Sequence, residues 1–400
     1  MASTTTNRAL SQYSGDTVSD LFIRDVPDWT PKQRRTDTPF INKIGRASGP
    51  TTPMLKAEWG WGSPDPVADT IAEALDTTET GVDVTNVAYY QIGHILMCGT
   101  ELMRVTAVPT SGSTLTVVRA YNGDLTTGSS HSNADPIYIV GISMTENADD
   151  PISPVTQGEV DFNYHSLMQM GFQFSDRARV TPTYETKGQS GDRFEIELRK
   201  KMKDTAPVLL ERMCLFSTRN LGSTTAASSM GGLAQSSYVT TRTSLSSAPL
   251  TEFDLMDNIQ TVWNLVGGEA IGKTVHTSMF VKRVINSWYN GSRRSGTGDS
   301  KMSLTWDTIH TDMGDFKIDT NYQFDSVTGE KDNLYLLNYD DFKLRPYASS
   351  TGWQTGKRAT DGPYSFGFLR GDWTLVCQNP DSRLQLHTFS TTSTDYPGLS

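Results

Sequence analysis

The sequence has 400 residues, of which 36% are hydrophobic, 10% aromatic and 20% charged. A chain of this length and composition can bury a sizeable core, which excludes a disordered protein and a mini-protein that depends on disulfides. The 35 Lys and Arg residues against 45 Asp and Glu give a net charge of −10, which repels a polyanion. A dedicated nucleic-acid-binding protein is therefore disfavoured.

The sequence also bears on location and redox state. No stretch approaches the roughly 20 apolar residues of a membrane span, and residues 1–7 lack the apolar core of a secretory signal. We therefore expect a soluble protein made in the cytoplasm. The three cysteines, Cys98, Cys214 and Cys377, lie far apart in apolar strings, which predicts reduced core thiols rather than disulfides or a zinc site.

Residues 1–80 show neither helical nor strand periodicity for long, and prolines interrupt them repeatedly. Their large apolar side chains must still leave water, so we expect an extended arm across another surface, with a neighbouring subunit as one candidate. Trp59 and Trp61 alternate with glycine and fall on one side of a strand, where core packing and burial at a subunit interface both remain open. The arm also carries a basic cluster that suits phosphate, an acidic neighbour or plain solvation: Lys32, Arg34, Arg35, Lys43 and Arg46.

Residues 81–142 consist of short β-rich runs separated by turn residues. The spacing of roughly ten residues per strand predicts a small all-β module, with Asn122-Gly123 suited to a tight turn. Residues 159–180 read as extended, and we pair them with residues 56–61 as the two legs of a long hairpin. The strands predicted in the module are residues 95–98, 102–108, 115–119 and 137–140.

Residues 193–216 carry the strongest helical signal, with Asp192 and Glu195 as a capping box and a kink at Pro207. The predicted apolar face comprises Phe194, Leu198, Met202, Ala206, Leu209, Met213 and Phe216. Further helices are predicted from Thr251 to Gly267 and over residues 278–290, followed by a mobile loop at residues 291–298. Strands are then predicted at residues 316–318, 334–337, 342–344, 365–369, 373–376 and 384–387.

No pattern in the sequence supports catalysis or a cofactor. The six histidines never approach metal-binding spacing, the glycines of residues 291–298 lack the lysine of a phosphate-binding loop, and no G-x-S-x-G motif occurs. We therefore predict a protein that is not an enzyme and needs no cofactor or metal.

The order of these pieces resembles the major capsid protein of tailed bacteriophages, the Hong Kong 97-like family. Asp37-Thr-Pro-Phe40 with Ile44-Gly45 is similar to an arm motif of one subgroup, and Leu115-Thr-Val-Val-Arg119 is similar to the end of its β insertion. The long helix follows in the same order, and the resemblance extends over roughly residues 20–388. Later matching segments are Met230-Gly-Gly-Leu233, Trp373-Thr-Leu-Val376, Asn379-Pro380 and residues 384–387.

The resemblance implies an α+β fold with a long spine helix, an extended β-hairpin loop and an inserted small all-β domain. It also implies inter-subunit contacts, for which we nominate Phe40, Trp59, Trp61, Arg34 and Arg35. The implied segments are an arm (1–50), the first leg of the loop (51–80), the β domain (81–142), the second leg (143–187), the spine helix (188–220), an axial domain (221–347) and C-terminal strands (348–400).

The implied function is structural: a shell of hexamers and pentamers that encloses double-stranded DNA without reading its sequence. Portal, decoration and scaffolding proteins are the further implied partners, the virion is the implied location, and assembly is expected in the host cytoplasm without a membrane. Two alternatives remain open. A tail or receptor-binding adhesin would show repeats and small oligomers, and a hydrolase would show a polar cleft.

Overall fold

The computed structural model describes residues 37–48, 54–62, 65–121, 127–146, 158–177, 193–223, 225–268, 270–288, 307–348, 353–358 and 363–396. The chain divides into two compact units, one of residues 1–58 with 162–400 and one of residues 59–161. Among the described residues, no helix has the length and apolar character that crossing a bilayer requires.

Helices and strands are interspersed along the chain, which makes the protein an α+β protein. The described helices are α1 (Pro39–Lys43), α2 (Arg193–Lys200), α3 (Ala206–Phe216), α4 (Glu252–Val266), α5 (Met279–Trp288) and α6 (Tyr322–Ser326). The strands are β1 (Gly45–Arg46), β2 (Lys56–Trp61), β3 (Ala68–Thr70), β4 (Gly81–Asp83), β5 (His94–Cys98), β6 (Glu101–Ala107), β7 (Thr114–Val118), β8 (Pro136–Ile142), β9 (Glu159–Tyr164), β10 (Ser166–Ser175), β11 (Thr241–Ser244), β12 (Thr274–Thr277), β13 (Thr308–Thr311), β14 (Gly314–Thr320), β15 (Leu334–Leu337), β16 (Phe342–Pro346), β17 (Gln354–Arg358), β18 (Tyr364–Cys377) and β19 (Leu384–His387).

The unit of residues 59–161 is built on a six-stranded sheet with the order β3-β8-β5-β6-β7-β4. Alternate side chains of β6 and β7 point into one core, as the period of a strand requires. Gly99 adopts a positive φ of 58° in the tight turn between β5 and β6, a conformation that glycine adopts at little cost. The four predicted strands are confirmed, whereas the predicted Asn122-Gly123 turn lies outside the described residues.

The predicted hairpin is confirmed only in its first part. Strands β2 and β9 pair with each other, as expected. The following strand, β10, instead pairs antiparallel with β18 over ten residues, from Ser166 opposite Trp373 to Ser175 opposite Tyr364. The sequence could not reveal this, because the partner strand lies about 200 residues further along the chain and periodicity does not identify partners.

The larger unit contains two further sheets. One has the order β1-β16-β18-β10, with β17 also paired to β18, and the other has the order β11-β19-β15-β12-β14-β13. Helices α4 and α5 contribute to the core on the second sheet, together with strand residues such as Val275, Leu336 and Leu386.

Strand β18 corrects the prediction of two separate strands at residues 365–369 and 373–376. It runs without interruption from Tyr364 to Cys377. Gly371-Asp372 resembles a turn in the sequence, but Gly371 pairs with Met168 across the sheet. A Cβ atom at Gly371 would lie 2.6 Å from the Trp353 ring, so the glycine serves close packing and not chain reversal.

The long helix is confirmed over residues 193–216, but its apolar face is only partly the predicted one, since Phe194 and Ala206 are buried as expected and two other members are exposed. A π-helical segment, Lys201–Thr205, joins α2 to α3, and Pro207 lies in the first turn of α3, where its missing N–H costs no bond. The wider π turn shifts the buried face, so Met202 is 45% exposed and Leu209 38% exposed. Leu210, Cys214 and Leu215 are buried in their place, and Asp192 of the predicted capping box lies outside the described residues.

The two shorter predicted helices are confirmed as α4 and α5. The Thr251 side chain accepts a hydrogen bond from the backbone N–H of Asp254, and the Asp254 carboxylate accepts one from the backbone N–H of Thr251. This reciprocal capping box starts α4, and Gly267 with a φ of 80° ends it. The predicted mobile loop at residues 291–298 lies outside the described residues.

Candidate assembly site: the docked arm segment

The described part of the arm packs on the chain's own larger unit. Helix α1 begins at Pro39, a favourable first residue because its fixed φ suits a helix, and β1 then pairs in parallel with β16. The surface that residues 37–48 cover belongs to the same chain. Contact of this segment with a neighbouring subunit stays a prediction. The preceding residues 1–36 lie outside the described residues.

Glu211 of α3 holds the start of α1. Its Oε1 accepts a hydrogen bond from the backbone N–H of Phe40 at 2.9 Å, and its Oε2 accepts one from Ile41 at 2.8 Å. The first N–H groups of a helix have no partner within the helix, so a buried carboxylate at this point satisfies two of them. Glu211 is completely buried.

Asn321 connects Glu211 to the six-stranded sheet of the larger unit. Its amide nitrogen donates to Oε1 of Glu211 at 2.7 Å and to Nε2 of His276 at 3.2 Å. Its Oδ1 accepts the backbone N–H of Gln323 at 2.9 Å, which fixes the orientation of the amide. The fully buried amide therefore uses both its donors and its acceptor.

His276 continues the network toward Asp319. Because Nε2 accepts from Asn321, the ring hydrogen is assigned to Nδ1, which donates to the Tyr339 hydroxyl at 2.8 Å. Tyr339 in turn donates to the Asp319 carboxylate, and the Lys43 ammonium at the end of α1 binds the same carboxylate. Both ends of α1 are thus held by carboxylates of the larger unit.

The two carboxylates titrate in opposite directions. Burial raises the pKa of Glu211 to about 7, although the N–H donors of Ile41 and Phe40 oppose this shift. Burial also disfavours ionisation of Asp319, but the nearby His276 ring and the hydrogen bonds from Lys43 and Tyr339 outweigh it and hold the Asp319 pKa well below its ordinary value. Burial lowers the pKa of His276, in agreement with a neutral ring.

The Phe40 ring is fully buried within its own chain. It lies 5.4 Å from the Phe342 ring in an edge-to-face arrangement, and the rings of His276 and Tyr339 lie at 5.7 and 6.0 Å. These separations fall in the favourable range for aromatic pairs. All these contacts are within one chain, and contact of Phe40 with another subunit stays a prediction.

Of the other four nominated residues, Trp59 is the one whose side chain the structure describes. Trp59 is 8% exposed in strand β2, so it is buried in the single chain, and its role at a subunit interface stays a prediction. Trp61 ends the same strand, and its side chain is not among the described parts of the chain. Arg34 and Arg35 lie outside the described residues altogether.

Several surfaces of the single chain expose large apolar side chains. Phe253 is 77% exposed on α4 and Val160 is 70% exposed on β9. An open groove of about 450 Å³ runs beside α3 and is lined mainly by apolar residues, including Met168, Leu209 and Phe216. The outward face of β8 adds Tyr138, Val140 and Ile142. The groove and the β8 face group several apolar side chains, as surfaces that bind other molecules often do, whereas Phe253 and Val160 are single exposed positions.

The smaller unit contains a second buried polar cluster. Glu101 is fully buried and forms a bidentate ion pair with Arg119 at 2.7 and 2.8 Å. It also accepts the backbone N–H groups of Ala120 and Ser129 and contacts Nε2 of His131 at 3.0 Å. Burial opposes ionisation, but these donors outweigh it and lower the pKa of Glu101 to about 2. The three cysteines are free and buried, as predicted.

Sequence comparison decides the family. A family model described as SU10 major capsid protein matches residues 2–387. The chain belongs to the SU10 major capsid protein family. It is a major capsid protein, with a structural role in the head shell of a bacteriophage. No curated protein matches its sequence.

Solved structures resemble this capsid protein at low sequence identity. The capsid of Myoviridae phage XM1 is 10% identical, with a TM-score of 0.47, over 93% of this chain and 98% of that chain. Gordonia phage Cozz is 9% identical, with a TM-score of 0.48, over 96% and 98%. The capsid of a native GTA particle is 9% identical, with a TM-score of 0.49, over 96% and 100%.

Sequence reasoning missed the residues that hold the arm of the capsid protein. Glu211 lies on the long helix and is 171 residues from its partner Phe40. The one available signal was a charge inside an apolar string, since Glu211 follows Leu209-Leu210 and is followed two residues later by Met213. A charged side chain on the buried face of a helix indicates a buried partner, but not which one.

Proposed function

We propose that this capsid protein assembles with identical copies into an icosahedral shell of hexamers and pentamers that encloses the double-stranded DNA of a tailed bacteriophage. The family match over residues 2–387 carries the proposal. The division into arm, extended loop, β domain, spine helix, axial domain and C-terminal strands belongs to the same proposal.

The exposed apolar side chains support assembly between copies. Burial of one large side chain stabilises a contact by about 1.5–3 kcal/mol, and Phe253 and Val160 are both mostly exposed in the single chain. Head-to-tail contacts between identical subunits repeat until the ring of subunits closes. Every subunit then buries the same side chain against its neighbour. We propose Trp59, Trp61 and the arm residues Phe40, Arg34 and Arg35 as further inter-subunit contacts.

The charge of the chain supports a container role. A net charge of −10 gives no general attraction for DNA, which suits a shell that must release its contents. We propose that a portal protein and decoration or scaffolding proteins are the remaining partners. We further propose that the shell assembles in the host cytoplasm and acts without enzymatic activity.

A matched pair of variants tests the apolar contacts. Phe253→Asp places a charge on an exposed apolar position of α4, and Asn264→Asp places the same charge at an exposed polar position of that helix. We expect Phe253→Asp to reduce the fraction of protein that sediments as particles by at least about tenfold, because a contact worth about 2 kcal/mol is lost. We expect Asn264→Asp to change it less than twofold. Equal particle yields would contradict a role for Phe253 in assembly.

A further inference from the structure

Three side chains with metal-binding atoms meet at the end of strand β5 in the unit of residues 59–161. The thiol of Cys98, the imidazole of His131 and the carboxylate of Asp135 offer ligand atoms that all lie within 4.8 Å of one another. Cys98 Sγ lies 3.3 Å from Nδ1 of His131. The cluster is invisible in the sequence, because 33 residues separate Cys98 from His131 and no short motif joins them.

We propose that Cys98, His131 and Asp135 form a binding site for one divalent zinc-like cation. Sulfur, imidazole nitrogen and carboxylate oxygen are the ligands that Zn²⁺ uses in proteins, at roughly 2.0–2.3 Å, so tetrahedral ligands lie about 3.3–3.8 Å apart. The ligand atoms here need only a small inward movement to reach that spacing. Three protein ligands leave the fourth position to water.

The orientation of His131 supports the proposal. Its Nε2 lies 3.0 Å from an oxygen of Glu101. The Glu101 carboxylate also accepts hydrogen bonds from Arg119, Ala120 and Ser129, so it acts as an acceptor toward His131 as well. The hydrogen of the ring therefore belongs on Nε2, and the lone pair of Nδ1 faces Cys98. A carboxylate that fixes the far nitrogen of a metal-binding histidine is the usual outer partner in zinc sites.

The backbone also holds the three ligands in place. Cys98 ends β5 and pairs with Glu101 and Ile137 on either side. The backbone of His131 exchanges two hydrogen bonds with Leu75, each 2.9 Å long. One Asp135 oxygen accepts the backbone N–H of Ser132 at 2.7 Å, and its other oxygen has no hydrogen-bond partner among the described residues.

Access and proton balance are compatible with binding. Cys98 is 1% exposed and the His131 side chain 8% exposed, whereas Asp135 is partly exposed, so the cation enters from the side of Asp135. In the metal-free protein the Cys98 S–H donates to Nδ1 of His131. Binding replaces this hydrogen by the cation, with the thiol proton released to solvent and the Nε2 hydrogen of His131 retained.

Titration of the full-length protein with Co²⁺, after removal of metals by a chelator, tests the site. We expect one Co²⁺ per chain, with a thiolate-to-cobalt charge-transfer band and the visible bands of a tetrahedral ion, both lost on addition of Zn²⁺. Cys98→Ser should abolish the charge-transfer band, and His131→Gln and Asp135→Asn should each weaken binding by at least about tenfold. His310→Gln, which alters an exposed His–Asp pair, is the matched control and should change nothing.

Two results would overturn the proposal. One is the absence of stoichiometric Co²⁺ binding with a charge-transfer band. The other is an unchanged Co²⁺ affinity in Asp135→Asn, which would exclude Asp135 as a ligand of the cation. Asp135 is partly exposed, so this variant remains informative if Cys98→Ser fails to fold. The test does not depend on shell assembly, because it reads metal binding by the chain itself.

Discussion

Asn321 donates one amide hydrogen to Glu211 and the other to His276. It therefore links α3, the helix that holds the arm, to the six-stranded sheet of the larger unit. Glu211 lies on α3, His276 on β12 and Asn321 immediately before α6. A buried amide with every hydrogen bond satisfied stabilises one arrangement of these elements, because any shift leaves a buried polar atom without a partner.

Replacement of Asn321 should therefore be costly. Asn321→Leu removes both donors and leaves the Gln323 N–H, the His276 Nε2 and one Glu211 contact without their partner. We expect the free energy of unfolding to fall by about 3 kcal/mol in urea denaturation of the unassembled chain. Asn264→Leu, the same change at an exposed position of α4, should cost less than about 0.5 kcal/mol. Similar losses for both variants would contradict the network.

Glu211 predicts a specific pH dependence. Its pKa is about 7 in the folded chain against an ordinary value of 4.5, so the folded state binds more protons between these values. The contribution of this group to stability is complete below pH 4.5 and is lost as the pH rises through 7. Glu211→Gln removes this dependence. We expect the variant to gain roughly 3 kcal/mol relative to wild type between pH 4.5 and 8.

The measurement is urea denaturation of both proteins across this pH range. The sign is the critical result, since a depressed Glu211 pKa would make wild type gain relative to the variant as the pH rises. Asp319 works in that opposite sense, because its pKa is lowered and its contribution is lost as the pH falls below its ordinary value. It is present in both proteins and cancels in the comparison.

The Phe40 ring should anchor the arm. Phe40→Ala leaves a cavity among Phe342, His276 and Tyr339 and should cost about 3–5 kcal/mol if the segment stays docked. If docking is worth less than this, the arm detaches, and limited proteolysis should then cleave near residues 37–48. Asn42→Ala, at an exposed position of the same helix, is the control and should leave both readouts unchanged. Unaltered stability and proteolysis in Phe40→Ala would contradict the docked arm.

Loss of Arg119 should lower the stability of the smaller unit far more than loss of the surface residue Lys200 lowers that of the larger unit. Arg119→Met leaves Glu101 as a buried charge without its bidentate partner, which should cost about 3–5 kcal/mol. Lys200→Met breaks an exposed pair with Glu197, 3.8 Å long, and should cost less than about 1 kcal/mol. Thermal unfolding of the two variants at neutral pH measures the difference, and equal effects would contradict the burial of the Glu101 pair.

The sequence predicted the elements that local chemistry determines. The capping box of Thr251, the positive φ of Gly267 and the alternation of β6 and β7 each follow from a few neighbouring residues. The length of the spine helix followed from its apolar period. The inserted π turn before Pro207 did not, because it changes which residues face inward without changing which residues favour a helix.

The candidate site required contacts that no local pattern contains. The partners of Phe40 lie on α3, β12 and β16, and Cys98 and His131 meet only once the sheet of the smaller unit has formed. Pairings such as β10 with β18 depend on the whole fold, since many apolar strands could replace one another in register. The family resemblance supplied the order of the pieces, and the structure supplied these contacts.

Negative-stain electron microscopy of the purified wild-type chain tests the central claim most directly. We predict closed shells of uniform size, tens of nanometres across, formed by this chain alone or together with a scaffolding protein. A population that stays monomeric or forms only small oligomers under both conditions would contradict the account of a shell-building subunit.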